Sequence, residues 1–327
     1  MRRIFEEMLT AVFMGMILPG ILLSGMVWVR QDPQPEAVPA ATEELVQKRK
    51  SPVVAVRDSK GSVTEKELED YLVGVVLAEM PAYFEGEALM AQAVVARTYT
   101  ARGLETGGKH GDGSICTQAS CCQAYISETE YLERGGTEAD LEKVRTAVLK
   151  TAGQVVTYEG ALIEATYFSC SGGTTEDAAA VWGTDFPYLR SVKSPGEEES
   201  AYYTDAVSFT ADELRQRLGV NLTGEPSGWF SQVTYTSGNG VDTIMIGDRT
   251  FQGTELRKKL GLRSTAFSVT AEEGMITFHT SGYGHRVGMS QYGAEAMAVN
   301  GSSYPQILAY YYRGTELADL EEMGKIS

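Results

Sequence analysis

Two groups of residues in this chain have the types and spacing to do chemistry. The first is Glu79, which continues an apolar stripe at helical spacing made by Leu68, Leu72, Val75 and Val76. A carboxyl on an apolar face at a helix end is partly removed from water. That favours its protonated form, and a protonated carboxyl can serve as a general acid. On spacing alone, a helix-end glutamate bonded to a nearby arginine is the more ordinary reading. Glu85 and Glu87 are rival carboxylates, but they open a helix in a polar stretch, where the helix dipole keeps them ionised.

The second group is His110, Cys116 and Cys122, spaced H-x5-C-x5-C with Cys121 beside the last. Imidazole and thiolate are the usual ligands of zinc, although this spacing is not that of a standard finger and leaves the fourth ligand open. Structural zinc, a disulfide among Cys116, Cys121, Cys122 and Cys170, and free thiols are the alternatives. Proton transfer by Glu79 needs no cofactor.

The run Ser169 to Thr175 offers hydroxyls and backbone amides suited to sugar hydroxyl and acetamido groups, and it equally reads as a tight turn between strands. Two hydrolase readings fail. Ser290 is not a nucleophile elbow, because Tyr292 stands where glycine is required. His110, His279 and His285 are too scattered for a zinc-peptidase motif.

These residues need elements to hold them. Val53 to Val56 reads as a strand, and Thr64 with Glu67 has the form of a capping box opening the helix that Met80 and Pro81 then stop. The alanine-rich stretch Glu87 to Arg102 predicts a closely packed second helix. Val144 to Thr151 predicts a helix, and Gly153 to Tyr158 and Leu162 to Phe168 predict strands. Phe209-x3-Glu-Leu-Arg-x2-Leu-Gly recurs from Phe251 to Gly261, each copy reading as a short helix closed by glycine: either halves of a duplicated subdomain or two unrelated helices.

The 327 residues carry a formal charge of -16, with no basic stripe in the soluble part, which disfavours nucleic-acid binding. Met8 to Val29 contains no charge and is long enough to span a bilayer, and Arg2 and Arg3 against Arg30 put the N-terminus in the cytoplasm. Cleavage near Ser24 and Gly25 is the alternative. The expected organisation is an anchor over 1–30, a proline-containing linker over 31–50, a core first part over 51–194, a smaller lobe over 195–275 and a core C-terminal part over 276–327. The expected fold class is α+β, a two-lobed extracytoplasmic domain with a substrate groove, preceded by one transmembrane helix.

Four ordered blocks, Tyr71 to Tyr99, Cys116 to Tyr125, Tyr167 to Leu189 and Tyr283 to Ala294, resemble the stage II sporulation protein D family, which includes amidase enhancers. The resemblance covers about Val53 to Glu316. It implies a membrane-anchored lytic transglycosylase, acting at the forespore septum during engulfment, that cleaves MurNAc-GlcNAc strands of peptidoglycan to 1,6-anhydro ends. Glu79, in the E-M-P motif, is then catalytic. Gln92, Arg97, Tyr167, Ser169, Ser171, Gly172, Gly173, Thr175, Tyr188, His285, Ser290, Gln291 and Tyr292 then contact substrate. It also implies a metal on His110, Cys116 and Cys122, and as partners a septal amidase, stage II sporulation protein P, and a membrane scaffold, protein M. The rival implication is a non-catalytic, glycan-binding activator of an amidase. One departure is Arg286, where the family commonly has glycine, which puts local backbone shape in question.

Overall fold

The structure, a computed structural model, describes residues 52–272 and 274–324. The expected anchor and linker lie outside these residues. Among the described residues no helix is long and apolar enough to cross a membrane.

The chain is mixed α+β. It begins with β1 (Val53–Arg57), β2 (Val63–Glu67), α1 (Leu68–Glu79), α2 (Gly86–Glu105), β3 (Ile115–Cys116), α3 (Glu128–Glu133) and α4 (Glu138–Lys150). Next come β4 (Gln154–Tyr158), β5 (Ala161–Leu162), β6 (Tyr167–Phe168), α5 (Ala178–Trp182), β7 (Thr204–Thr210) and α6 (Ala211–Leu218). It continues through β8 (Phe230–Tyr235), β9 (Val241–Ile246), β10 (Arg249–Gln252), α7 (Gly253–Leu260), β11 (Phe267–Glu272) and β12 (Met275–Ser281). The last elements are β13 (Met289–Ser290), α8 (Gln291–Val299), α9 (Tyr304–Tyr311) and β14 (Glu316–Asp319). Small sheets of order β2-β1-β3, β14-β4-β5 and β13-β6 accompany the larger helices, while β11-β12-β7 and β10-β9-β8 accompany α6 and α7.

Two expectations are corrected. Thr64 and Glu67 lie in β2, paired with Val56 and Val53, and α1 starts one residue later on a Glu67 cap that makes no side-chain bond. Strand pairing already satisfies the backbone groups that a capping box would serve. The predicted strand from Leu162 to Phe168 breaks between β5 and β6, where the Thr166 N–H turns back onto the Glu164 carbonyl at 3.0 Å.

Helix α1 is buried on nearly every side, with Leu68, Tyr71, Leu72, Val75 and Val76 fully covered, so it is a central helix rather than an amphipathic surface one. Gly74 in its middle has a specific use. A Cβ there would meet the Tyr125 ring at 2.3 Å and the Ile126 carbonyl at 2.5 Å, so only glycine lets the segment before α3 lie against the helix. The Ile126 N–H donates to the Gly74 carbonyl at 3.1 Å and locks that approach. Buried Ala88, Ala91, Ala93 and Ala96 in α2 allow similarly close packing on α1 and α4.

A second apolar cluster gathers Phe209, Leu214, Leu218, Phe251, Leu256, Leu260 and Phe278. The recurring motif builds the same unit twice. A strand ends next to a buried phenylalanine, a short helix follows, and Gly219 (φ 66°) or Gly261 (φ 69°) closes it in the left-handed conformation.

Arg286 joins this cluster to the main core. Its backbone sits at φ 65°, the left-handed region that glycine prefers, while its guanidinium is buried against the Glu176 carboxylate at 3.2 Å. The same head donates to the carbonyls of Ser171 (2.7 Å), Thr174 (2.6 Å) and Gly238 (2.7 Å). Glu176 also accepts from the Gly240 N–H at 3.0 Å in the β8–β9 turn. Arg286→Gly would relieve the backbone but leave Glu176 buried and unpaired. Losing one member of a buried pair costs about 3–5 kcal/mol against roughly 1 kcal/mol of relieved strain. Urea denaturation should therefore show a lower midpoint for the glycine variant.

Candidate active site and metal centre

Glu79 is the last residue of α1, half-buried, at the wall of a cavity of about 1000 Å³. The segment that Gly74 admits brings the Ala124 N–H to within 3.0 Å of its Oε1, and the Gln291 amide approaches Oε2 at 3.4 Å from the start of α8. The Tyr167 hydroxyl sits within reach of both the Gln123 Oε1, to which it donates at 3.0 Å, and Glu79; its single proton serves one of them at a time. Burial pushes the Glu79 carboxyl above the usual range, and these donors only partly oppose it. The negative end of the α1 dipole acts in the same upward direction. The cavity's other described carboxylate, Glu164, is paired with Arg102 at 3.0 Å. Among the described residues no arginine bonds Glu79, so the more ordinary reading of a helix-end glutamate finds no partner there.

That raised value has a stability consequence. A carboxyl whose folded pKa exceeds its unfolded one holds its proton better in the native chain. Stability therefore falls as pH rises from the unfolded value through the folded one, and the penalty is full above both. Glu79→Gln is expected to raise Tm at pH 8 and to give little gain at pH 4. Paired thermal melts at the two pH values check this.

Of the other expected site residues, Ser169, His285, Gln291 and Tyr292 line the same cavity with Tyr167. His285 is a neutral imidazole at physiological pH, because burial, helped by the nearby charge of Arg257, pulls its pKa down to about 4. Its Nδ1 accepts from the Val287 N–H at 3.1 Å, which leaves the proton on Nε2.

The rest are placed elsewhere. Arg97 is fully buried on Glu69, with 2.5 and 3.0 Å contacts, and has no surface to offer a substrate. Gln92 is likewise fully buried. Ser171 bonds Glu197 at 2.8 Å, and the Thr175 hydroxyl accepts from the Val192 N–H at 2.8 Å, so most of the Ser169 to Thr175 run braces the fold. Gly172 (φ 69°) and Gly173 (φ 103°) make its turn, and Gly172 faces a second, smaller cavity. Tyr188 is core, its hydroxyl accepting from the Glu164 N–H at 3.0 Å, and Ser290 is the buried cap of α8. The residues missed in the cavity wall include Tyr99, Lys109, Trp182, Tyr202, Arg257 and Tyr283. Tyr99, Trp182 and Tyr283 lay inside the recognised blocks, so aromatic type within those blocks was the available signal.

His110, Cys116, Cys121 and Cys122 converge, with one ligand atom from each lying within 4.8 Å of the others. A turn at Gln118, whose carbonyl accepts from the N–H of both Cys121 and Cys122, brings the adjacent thiols to one imidazole. Both sulfurs lie 3.6 Å from His110 Nε2 and 3.9 Å from each other. Tetrahedral zinc with its usual bond lengths has S–N edges of roughly 3.5 Å and S–S edges of roughly 3.8 Å. The donor set and these three edges fit that ion. The four cysteines are free thiols in this structure, and Cys170 stands apart, its Sγ 2.9 Å from Glu197 Oε2. Cys121 and Cys122 also form part of the cavity wall, Cys122 lying two residues before Ala124.

Residues 57–158 match the family model described as Stage II sporulation protein. The chain is 42% identical over 270 residues to stage II sporulation protein D of Bacillus subtilis (strain 168), covering 81% of this chain and 78% of that protein. It is 40% identical over 274 residues to the protein of the same name from Bacillus amyloliquefaciens, covering 82% and 79%. An amidase enhancer of Bacillus subtilis (strain 168) is 31% identical over 307 residues, covering 75% of this chain and 40% of that protein.

Proposed function

The chain belongs to the stage II sporulation protein D family, and on that footing we propose that it is a peptidoglycan lytic transglycosylase with Glu79 as its acid and base. A sporulation role at the cell wall is the coarser reading that the family carries. The observation that supports the finer one is Glu79 itself: a carboxyl raised by burial, free of any cationic partner among the described residues and open to a cavity large enough for sugars.

The protonated Glu79 gives its proton to the oxygen joining MurNAc C1 to GlcNAc, and the C1–O bond breaks as positive charge builds on the muramyl ring. The resulting carboxylate takes the proton of the muramyl 6-hydroxyl while that oxygen closes on C1. The acid is thereby restored and the 1,6-anhydro ring is formed. A glycosidase that uses water needs two carboxyl groups. An internal hydroxyl brings its own high effective concentration, so one carboxyl suffices. Between the two steps the Ala124 N–H and the Gln291 amide steady the negative charge.

A zinc ion, when bound, would be held by His110, Cys116, Cys121 and Cys122 and would supply a structural cross-link in the cavity wall. The anchor over 8–29, the location at the forespore septum, and partnership with a septal amidase and a membrane scaffold remain part of the same proposal. Mass spectrometry of purified glycan strands after digestion tests it: anhydro-muramyl ends support it, and their absence from a correctly folded protein defeats it. Because the acid must be protonated, kcat/KM is expected to fall as pH rises through the raised Glu79 pKa. The alkaline limb of the pH profile should lie above the range of an ordinary glutamate and should vanish in Glu79→Gln. The enhancer relative favours a second reading, a glycan-binding activator, under which binding occurs and no ends form.

A further inference from the structure

The two copies of the Phe-x3-Glu-Leu-Arg motif differ at their arginines. In the first copy Arg215 is occupied: its Nη1 donates to Asp212 at 2.7 Å and its Nη2 to the Leu222 carbonyl at 3.0 Å. In the second copy Thr254 stands where Asp212 stood, so the carboxylate three residues back is gone. Arg257 is half-buried, and its Nε donates to the Arg263 carbonyl at 3.2 Å. Among the described residues its two terminal nitrogens have neither a hydrogen bond nor an ion pair, and Arg257 lines the large cavity that holds Glu79.

A guanidinium partly out of water with no anion beside it is an unusual thing to keep, since the loss of hydration is not offset within the protein. The cavity's other described cations do not share this state. Lys109 donates to the Tyr99 hydroxyl at 2.8 Å and to the Cys121 carbonyl, and His285 is neutral. Tyr283 and His285 stand with Arg257 on the same wall, flat groups against which a sugar ring can lie. The guanidinium of this cavity-lining residue carries a planar pair of donors of the geometry that grips a carboxylate through two parallel bonds.

We propose that Arg257 is a specificity-determining residue that binds a carboxylate of the glycan substrate, namely the free lactyl carboxylate of a muramyl sugar. This deepens the transglycosylase reading and rests on it. A lactyl group joined to a stem peptide is an amide, neutral and bulky, and cannot make the paired bonds. Arg257 therefore favours strands whose lactyl groups are free.

The test uses two muramyl oligosaccharides of one length, one with free lactyl carboxylates and one with those groups capped as methylamides, together with a peptide-bearing strand. Binding is measured calorimetrically on Glu79→Gln, which removes turnover, and rates are measured on the otherwise native protein. The free form is expected to bind at least tenfold more tightly than the methylamide, the scale of a charge-assisted pair. Arg257→Gln should erase that difference by weakening the free form alone, Arg257→Lys should restore part of it, and Arg215→Gln should change nothing. If Arg257→Gln does not fold, Arg257→Lys carries the comparison.

Equal binding of free and capped glycans, or an equal loss of both on Arg257→Gln, overturns the inference. Tight binding of the peptide-bearing strand through Arg257 overturns the choice of carboxylate and assigns it to the peptide. Charge discrimination without anhydro product leaves the subsite standing and defeats the enzyme reading. Product formed without discrimination does the reverse.

Discussion

Glu79→Gln is expected to lower the rate of anhydro-muramyl end formation by about 10²- to 10⁴-fold while leaving the fold and glycan binding in place. The amide keeps the acceptor that Ala124 requires, and rotation of the Gln291 amide by half a turn gives the new nitrogen a carbonyl to meet. What disappears is the proton that can be given and taken back. Glu79→Asp should also lose activity, because a side chain shorter by one methylene withdraws from both the Ala124 donor and the cavity. Glu164→Gln is the control: that carboxylate shares the cavity but is neutralised by Arg102, so a much smaller loss is expected. Initial rates by liquid chromatography with mass spectrometry, with circular dichroism for each variant, decide the matter. A glutamine variant that works within about threefold of the parent would remove Glu79 from the chemistry.

Loss of the zinc proposed for the cysteine-histidine cluster is expected to be the second large effect. Elemental analysis should find one zinc per chain, and chelation or Cys116→Ser should lower stability by about 3 kcal/mol or more, a fraction of what structural zinc contributes to small finger domains. Cys116 ends β3, beside β1, and Cys122 lies just ahead of Ala124, so releasing the ion frees the segment that holds the Glu79 donor. Activity should then fall together with Tm, and Cys121→Ser should weaken binding as Cys122→Ser does, as a four-ligand site requires. A protein with no zinc after purification and refolding in zinc, whose melting is unmoved by chelator, would leave the cluster without this role.

Much of the site could be read from the chain alone because its key facts are local. Glu79 follows an apolar run of helical period, and Pro81 ends that run, which places a carboxyl at a helix terminus. The donors that shape its behaviour come from Ala124 and Gln291, and no local pattern points to a backbone amide so far along the chain. Cys121 as a fourth member of the cluster was hidden for a similar reason: neighbouring side chains ordinarily diverge, and the turn at Gln118 makes both face His110. Arg97 shows the opposite failure. An arginine within a recognised block suggested substrate contact, but the fold uses it to hold Glu69 and two carbonyls in the interior. In the second cluster the twin helices and their closing glycines were legible from spacing, whereas nothing in that spacing says that Arg257 lines the cavity. At Arg286, a position where glycine was the expectation, the left-handed backbone persists, and the side chain is tied down by a buried carboxylate and three carbonyls.

The Gln291 contact to Glu79 spans 212 positions of sequence, and the parallel strand pair behind it joins Tyr167 to Met289. A ribosome must therefore finish nearly the entire polypeptide before the pocket can close around Glu79, so every chain carries that carboxyl without its Gln291 partner until synthesis is almost complete.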